Sequence, residues 1–87
     1  MTHELEIYES FADAVLSGDK SFEIRDNTAR GFQKGDLVKF TVVNNLGLEI
    51  RHSLNFEMFV ITYVLSGWGL KKGCVVFGIK RRTDNGV

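Results

Sequence analysis

Gly18-Asp19-Lys20-Ser21-Phe22-Glu23-Ile24-Arg25 is the stretch on which the reading of the fold turns. Just before it, Phe11, Ala14 and Val15 fall at i, i+3 and i+4, which makes one stripe of a short helix. Gly18 can take the left-handed conformation that stops such a helix. After it the period becomes two: Phe22 and Ile24 point to one face, and Ser21, Glu23 and Arg25 to the other. Helix therefore gives way to strand within one turn, and Lys20, Glu23 and Arg25 gather at the junction.

Outward from this junction the chain reads mostly as strand. Upstream, Leu5 and Ile7 alternate with Glu4, Glu6 and Tyr8, the pattern of a first strand with one wet face. Ser10 is the expected N-cap of the helix, with Asp13 three residues on in a box-like position. Downstream, residues 26 to 31 form a polar loop, and Lys34-Gly35-Asp36 is a turn. Leu37 to Val43 is rich in β-branched residues and reads as a strand, and Asn44-Asn45-Leu46-Gly47 as a hairpin loop. Leu48, Ile50 and the run from Phe56 to Leu65 are strand-like, with a bend or bulge expected at Arg51-His52-Ser53. Ser66 to Gly73 is a glycine-punctuated loop, and Cys74 to Ile79 a last strand. Phe40, Phe56, Phe59, Tyr63 and Phe77 sit on strand patterns and are expected in the core.

The 87 residues make one domain, and a chain this short buries only roughly 60% of its unfolded surface. The expected class is α+β, mostly β. A small β-barrel with one short N-terminal helix is favoured, because closure removes exposed edges and the sequence contains no proline to protect them. The domain is expected to span residues 1–82, with 83–87 as a loose tail.

Eleven basic and eleven acidic residues cancel. Zero net charge disfavours a protein that holds duplex DNA through its phosphates, and is compatible with a local basic cleft. Cys74 is the only cysteine, so an internal disulfide and a thiolate zinc cage are excluded. Set beside Val75 and Val76, it is expected to be a buried, inert thiol. The polar, acidic start is unlike a signal peptide. The apolar run from Met58 to Leu65 is far shorter than the ~20 residues of a spanning helix. A cytoplasmic protein away from membranes is expected. His3 and His52 lack metal-ligand spacing, and no phosphate loop, nucleophile elbow or dinucleotide fingerprint occurs, so neither metal nor cofactor is expected.

The segment from Gly18 to Arg25 resembles the G-x-K-x-x-E-x-R signature of the ASCH group of PUA-like barrels. The surrounding order of strand, short helix, signature strand and Lys34-Gly35-Asp36 turn is similar too. The opening at residues 3 to 7 and the closing segments from Thr62 to Lys80 resemble a small bacterial and phage family of unknown function related to ASCH domains. The resemblance implies a PUA-like barrel whose helix–barrel cleft takes RNA or a nucleotide-like ligand. Some ASCH members resemble amidohydrolases that act on an acylated nucleoside such as N4-acetylcytidine through a Lys, a Thr and a Glu. Lys20 fills the lysine position here, but Glu23 stands where the threonine belongs and the downstream glutamate has no counterpart. The trio is incomplete, and the activity does not carry over with the match.

Lys20, Glu23 and Arg25 read in two ways. As a ligand site, Arg25 would grip a phosphate or a base edge with its planar fork, Lys20 would supply a point charge, and Glu23 would accept from a base amino group. In an enzyme, Lys20 would be base or nucleophile with Glu23 orienting it. As structure, the three form an ion-pair cluster tying helix to sheet. Arg30 and Lys34, with Lys39, would widen a basic rim or be solvated charges; Lys80, Arg81 and Arg82 form a basic end. Trp68, between two glycines, is either a stacking platform for a base or a cap on the barrel core. His3 is expected to line the cleft, and His52 to be an exposed bend residue. The leading function is an RNA- or nucleotide-binding module. An amidohydrolase and a protein-interaction accessory domain are the alternatives, and the oligomeric state is open.

Overall fold

The computed structural model describes residues 1–83, so the expected tail at 83–87 lies, but for Thr83, outside the described residues. The chain forms β1 (Thr2–Tyr8), α1 (Glu9–Ser17), β2 (Phe22–Asp26), β3 (Leu37–Val43), a short 3-10 turn (Ser53–Phe56), β4 (Met58–Ser66) and β5 (Cys74–Arg81). The five strands make one curled, half-barrel sheet in the order β1-β3-β4-β5-β2. β1 runs parallel to β3, and the other neighbours are antiparallel. The domain is thus α+β and mostly β, as expected. Among the described residues no helix is long and apolar enough to cross a membrane.

The core follows from the period-two alternation. Leu5 and Ile7 of β1, Val38, Phe40 and Val42 of β3, and Val75, Phe77 and Ile79 of β5 all point to the concave side. α1 closes one end of it. Gly18 ends the helix at φ 90° and donates its N–H to the Val15 carbonyl at 3.1 Å, as the sequence suggested. The start differs: Tyr8 is the cap residue, and no side chain caps the helix. Because the helix begins at Glu9, its buried stripe is Ala12, Val15 and the partly buried Leu16, and Phe11 stays half exposed.

Two strand assignments, that of Leu48 with Ile50 and that of Phe56, and the core placement of Phe56 and Tyr63 are corrected. Leu48 and Ile50 do not form a strand: Val43 and Glu49 make an isolated bridge, and the Ile50 N–H donates to the Val42 carbonyl at 3.0 Å. Asn55 completes that end of β3, accepting from the Val42 N–H at 2.9 Å and donating to the Ile50 carbonyl at 3.1 Å. Phe56, expected in the core, lies in the 3-10 turn and is 82% exposed. Tyr63 was expected inside and is 64% exposed. The cause is a β-bulge between Ile61 and Tyr63, where the inserted Thr62 reverses the faces of everything after it. Val64 turns inward, and Tyr63 and Leu65 turn out.

Both histidines are structural. His52, expected to be exposed, has a side chain only 10% exposed. Its Nδ1 accepts from the Leu54 N–H at 3.1 Å, and its Nε2 lies 2.7 Å from Asp13 Oδ1 on α1. The hydrogen bond from Leu54 leaves Nε2 as the protonated nitrogen, so His52 pins the 3-10 turn to the helix. His3 does not line the cleft. It is buried against Phe32, with ring centroids 4.5 Å apart, and its Nε2 lies 2.8 Å from Asp36 Oδ2. The His3 hydrogen bond is the main force holding the Asp36 carboxyl below the usual range. Burial opposes it, while the Gln33 N–H and the terminal ammonium add to it.

Two outcomes follow. A Cβ at Gly78 would sit 2.6 Å from Thr62 Oγ1, so Gly78→Ala should cost about 1 kcal/mol in urea unfolding. Adding Thr62→Ala should relieve most of that loss; an equally unstable double variant would disprove the contact. The Asp36 carboxyl binds protons less readily folded than unfolded, where its pKa is about 3.9. Its stabilisation is therefore complete above that value and is lost as pH falls through the lower folded one. Thermal melts from pH 7 to pH 2 should show Asp36→Asn less stable at neutral pH but with a shallower acid slope than wild type.

Candidate functional site

The site is built on two sheet edges. Among the described residues, β1 pairs only with β3, and β2 only with β5. Parallel pairing turns the backbone of His3, Leu5 and Ile7 toward β3 and leaves the carbonyls of Glu4 and Glu6 on the outer edge. Guanidinium groups satisfy both. Arg25 Nη2 donates to the Glu6 carbonyl at 2.8 Å, and Arg30 Nη1 to the Glu4 carbonyl at 3.1 Å. Side chains from β2 and its following loop thus bridge to an edge that no strand covers.

On β2 the usual sorting of residues is reversed. Phe22 and Ile24 point outward, 43% and 52% exposed, while Glu23 points in and is 3% exposed. A buried carboxylate is tolerable only when paired and hydrogen-bonded, and both of its oxygens are. Lys20 Nζ donates to Glu23 Oε2; Arg25 donates to Oε1 from Nε at 3.0 Å and from Nη2 at 2.8 Å. Lys20 Nζ also donates to the Phe22 carbonyl at 2.8 Å and lies over the rings of Phe22 and Phe11, 5.2 and 5.7 Å from their centroids.

Between β1, α1 and β2 lies a cleft of about 470 Å³. Tyr8, Phe11, Phe22 and Ile24 give it apolar walls, and Lys20, Glu23 and Arg25 give it one polar side. The trio carries one net positive charge. Lys20 and Arg25 are partly open, with side chains 18% and 26% exposed. The cluster is at once an internal ion-pair network and a wall reachable by a ligand.

The structure does not gather every residue the sequence suggested. Arg30 is spent on the β1 edge, Lys34 is exposed on the turn before Asp36, and neither lines the cleft. Trp68 is 89% exposed at the β4–β5 tip, which removes the core-cap reading, and it does not line the cleft either. Its φ of 53°, between Gly67 and Gly69 at 75° and 86°, holds the indole out on a backbone that non-glycine residues rarely adopt. Tyr8, Phe11, Phe22 and Ile24 were missed as cleft walls. Alternation marked Phe22 and Ile24 as sharing a face, but not that the face is the wet one.

A second hollow of about 590 Å³ lies at the far end of β2, lined by Asn27, Thr28, Lys71, Lys72 and Cys74 among others. Cys74 is half-buried there rather than buried. Beside it, hydrogen bonds from the Thr28 hydroxyl at 2.7 Å and the Thr28 N–H at 2.8 Å hold the Asp26 carboxyl below its usual range.

A family model described as a domain of unknown function, DUF3850, matches residues 2–79. The chain belongs to that family. A comparison with curated proteins finds no match. The matched span of the DUF3850 domain takes in both edges of the cleft and the whole Lys20–Glu23–Arg25 cluster.

Removing the Glu23 carboxylate would leave two cations facing each other beside the core. Glu23→Ala should cost about 2–3 kcal/mol in urea unfolding, less than a fully buried ion pair because water reaches Lys20 and Arg25. Lys20→Ala should cost less than half as much. Equal, small effects would show that the cluster does not hold the edges together.

Proposed function

We propose that this DUF3850 domain is an ASCH-type, PUA-like module, closed as a barrel by side-chain bridges, that binds RNA or a nucleotide-like ligand in the cleft between α1 and the β1 and β2 edges. The observation that carries the reading is the composition of the cleft: aromatic walls around a guanidinium already held in plane by a carboxylate. A planar, partly apolar ligand with acceptor atoms on its rim suits such a site. Phe11 or Phe22 would stack on its face, and Arg25 would meet its edge or its phosphate. Unpaired bases offer both features at once, and duplex DNA hides the stacking faces. A cytoplasmic setting, where such ligands are abundant, belongs to the same proposal.

The amidohydrolase alternative draws less from the geometry. The Lys20 ammonium is engaged by the Glu23 carboxylate, the Phe22 carbonyl and two ring faces, which is the arrangement of a donor rather than an attacking amine.

Arg25 also bridges the sheet edges, so Phe11 is the better probe: it is half exposed and outside the core. By fluorescence anisotropy with a short single-stranded RNA and with mononucleotides, Phe11→Ser should weaken binding about tenfold at unchanged melting temperature, consistent with stacking of about 1–3 kcal/mol per base. Lys20→Ala should weaken binding and flatten its salt dependence. Wild-type affinity in both variants, or no binding by wild type, would refute the assignment.

A further inference from the structure

The outward face of β2, β5 and β4 is laid out in rows. Register places Phe22, Gly78 and Tyr63 side by side in one row, and Ile24, Val76 and Leu65 in the next. Adjacent strands lie about 4.8 Å apart, so the backbones carrying Phe22 and Tyr63 are about 9–10 Å apart. Gly78 between them has no side chain, and the hydroxyl of Thr62 sits where one would be. Two exposed aromatic residues therefore flank a floor with a hydroxyl that donates and accepts.

Charge is segregated around this face although the whole chain is neutral. Lys80 points outward one row beyond Gly78, and Lys20 lies against the Phe22 ring. At the other end, Lys71 and Lys72 line the hollow beside Thr28 and Cys74. Asp26 is the carboxylate on the face itself, and Thr28 already caps it twice. Glu4 and Glu6 point outward too, but on β1, across the cleft. Apolar rows bounded by cations at both ends complement a polyanion that carries flat apolar groups.

We infer that the outer face of β2–β5–β4 is a stacking platform for single-stranded nucleic acid, with bases on Phe22 and Tyr63 and phosphates met by Lys80 at one end and Lys71 at the other. This rests on the nucleotide-binding reading of the cleft and extends it: Phe22 belongs to both surfaces, so a strand leaving the cleft continues over β2 onto the sheet. From the Phe22 row to the Asp26 row is about 14 Å along the strands, enough for a few nucleotides but more than a mononucleotide covers.

The test compares a twelve-residue oligouridine, its duplex with oligoadenosine, and uridine monophosphate against wild type, Tyr63→Ser, Lys80→Glu and Phe11→Ser. Tyr63 is exposed and Lys80 lies at the surface, so both variants should melt as wild type does. The platform predicts that Tyr63→Ser weakens the single strand about tenfold and leaves the mononucleotide unchanged. Lys80→Glu should weaken the single strand and reduce its salt dependence, and the duplex should bind more weakly than the single strand. Wild-type affinity for the single strand in both variants would overturn the platform and leave the cleft reading standing. Loss of mononucleotide binding in Phe11→Ser with the Tyr63 effect intact would support both surfaces. A wild-type domain that ignores all three ligands but self-associates, with association broken by Tyr63→Ser, would overturn the platform in favour of a protein-contact face.

Discussion

The carboxylate of Glu23 is the constraint around which this end of the domain is arranged. It sits on the concave side of an edge strand, a position that favours apolar residues, and two cations from its own neighbourhood make it tolerable. One of them, Arg25, uses the same Nη2 to reach the Glu6 carbonyl on the opposite edge. A buried anion thus orients the donor that satisfies an otherwise open strand. Without the anion, Arg25 would lose its fixed plane, β1 a partner for its carbonyl, and the cleft its polar side. Stability and recognition draw on the same three side chains, so the site is not an addition to a finished scaffold.

Burial on β2 follows from that arrangement. Elsewhere the sheet places apolar residues inside, except at His3 of β1, whose ring is buried beside Phe32 and paired with Asp36. On β2 the inward side is polar, and Phe22 and Ile24 are turned out. The exposed rings and the buried charge are two sides of one alternation, since reversing one reverses the other. A strand with this sequence can satisfy Glu23 or hide Phe22, but not both.

The sequence made the order of elements legible because periodicity changes sharply at Gly18 and turn residues mark most of the other boundaries. The gathering of Lys20, Glu23 and Arg25 was legible too, because Glu23 and Arg25 share a face by strand spacing and Lys20 stands at the junction just before them. What it concealed were features set by distant neighbours. The bulge at Thr62 depends on the room left by Gly78 on another strand, so Phe59-Val60-Ile61-Thr62-Tyr63 reads as uninterrupted alternation although its last ring is outside. Phe56 lies in a 3-10 turn whose start is fixed by His52 and Asp13, residues far apart in the chain. Arg30 looked like a free surface charge because its acceptor is a backbone carbonyl, and carbonyls leave no mark in a sequence. Trp68 gave no sign of its exposure beyond the glycines on either side.

The order of the strands has a consequence for how the domain comes into being. Among the described residues β2 has a single strand neighbour, and it is the last of the five strands in chain order: Phe22 pairs with Gly78, and Asp26 with Cys74. On a ribosome, β1, α1 and β3 emerge well before β5, and during that interval β2 has no ladder to join. Such non-local pairing is slow to form, because the chain must close a long loop before any contact rewards it. Glu23 then waits in water with Lys20 and Arg25, where a charged cluster is well solvated, while Phe22 and Ile24 have no strand beside them. The arrival of β5 docks β2, buries the carboxylate and brings Arg25 to β1 in one late step. A nascent chain short of its last strand therefore has no cleft to offer, and acquires one only as synthesis passes the residues that pair with the site.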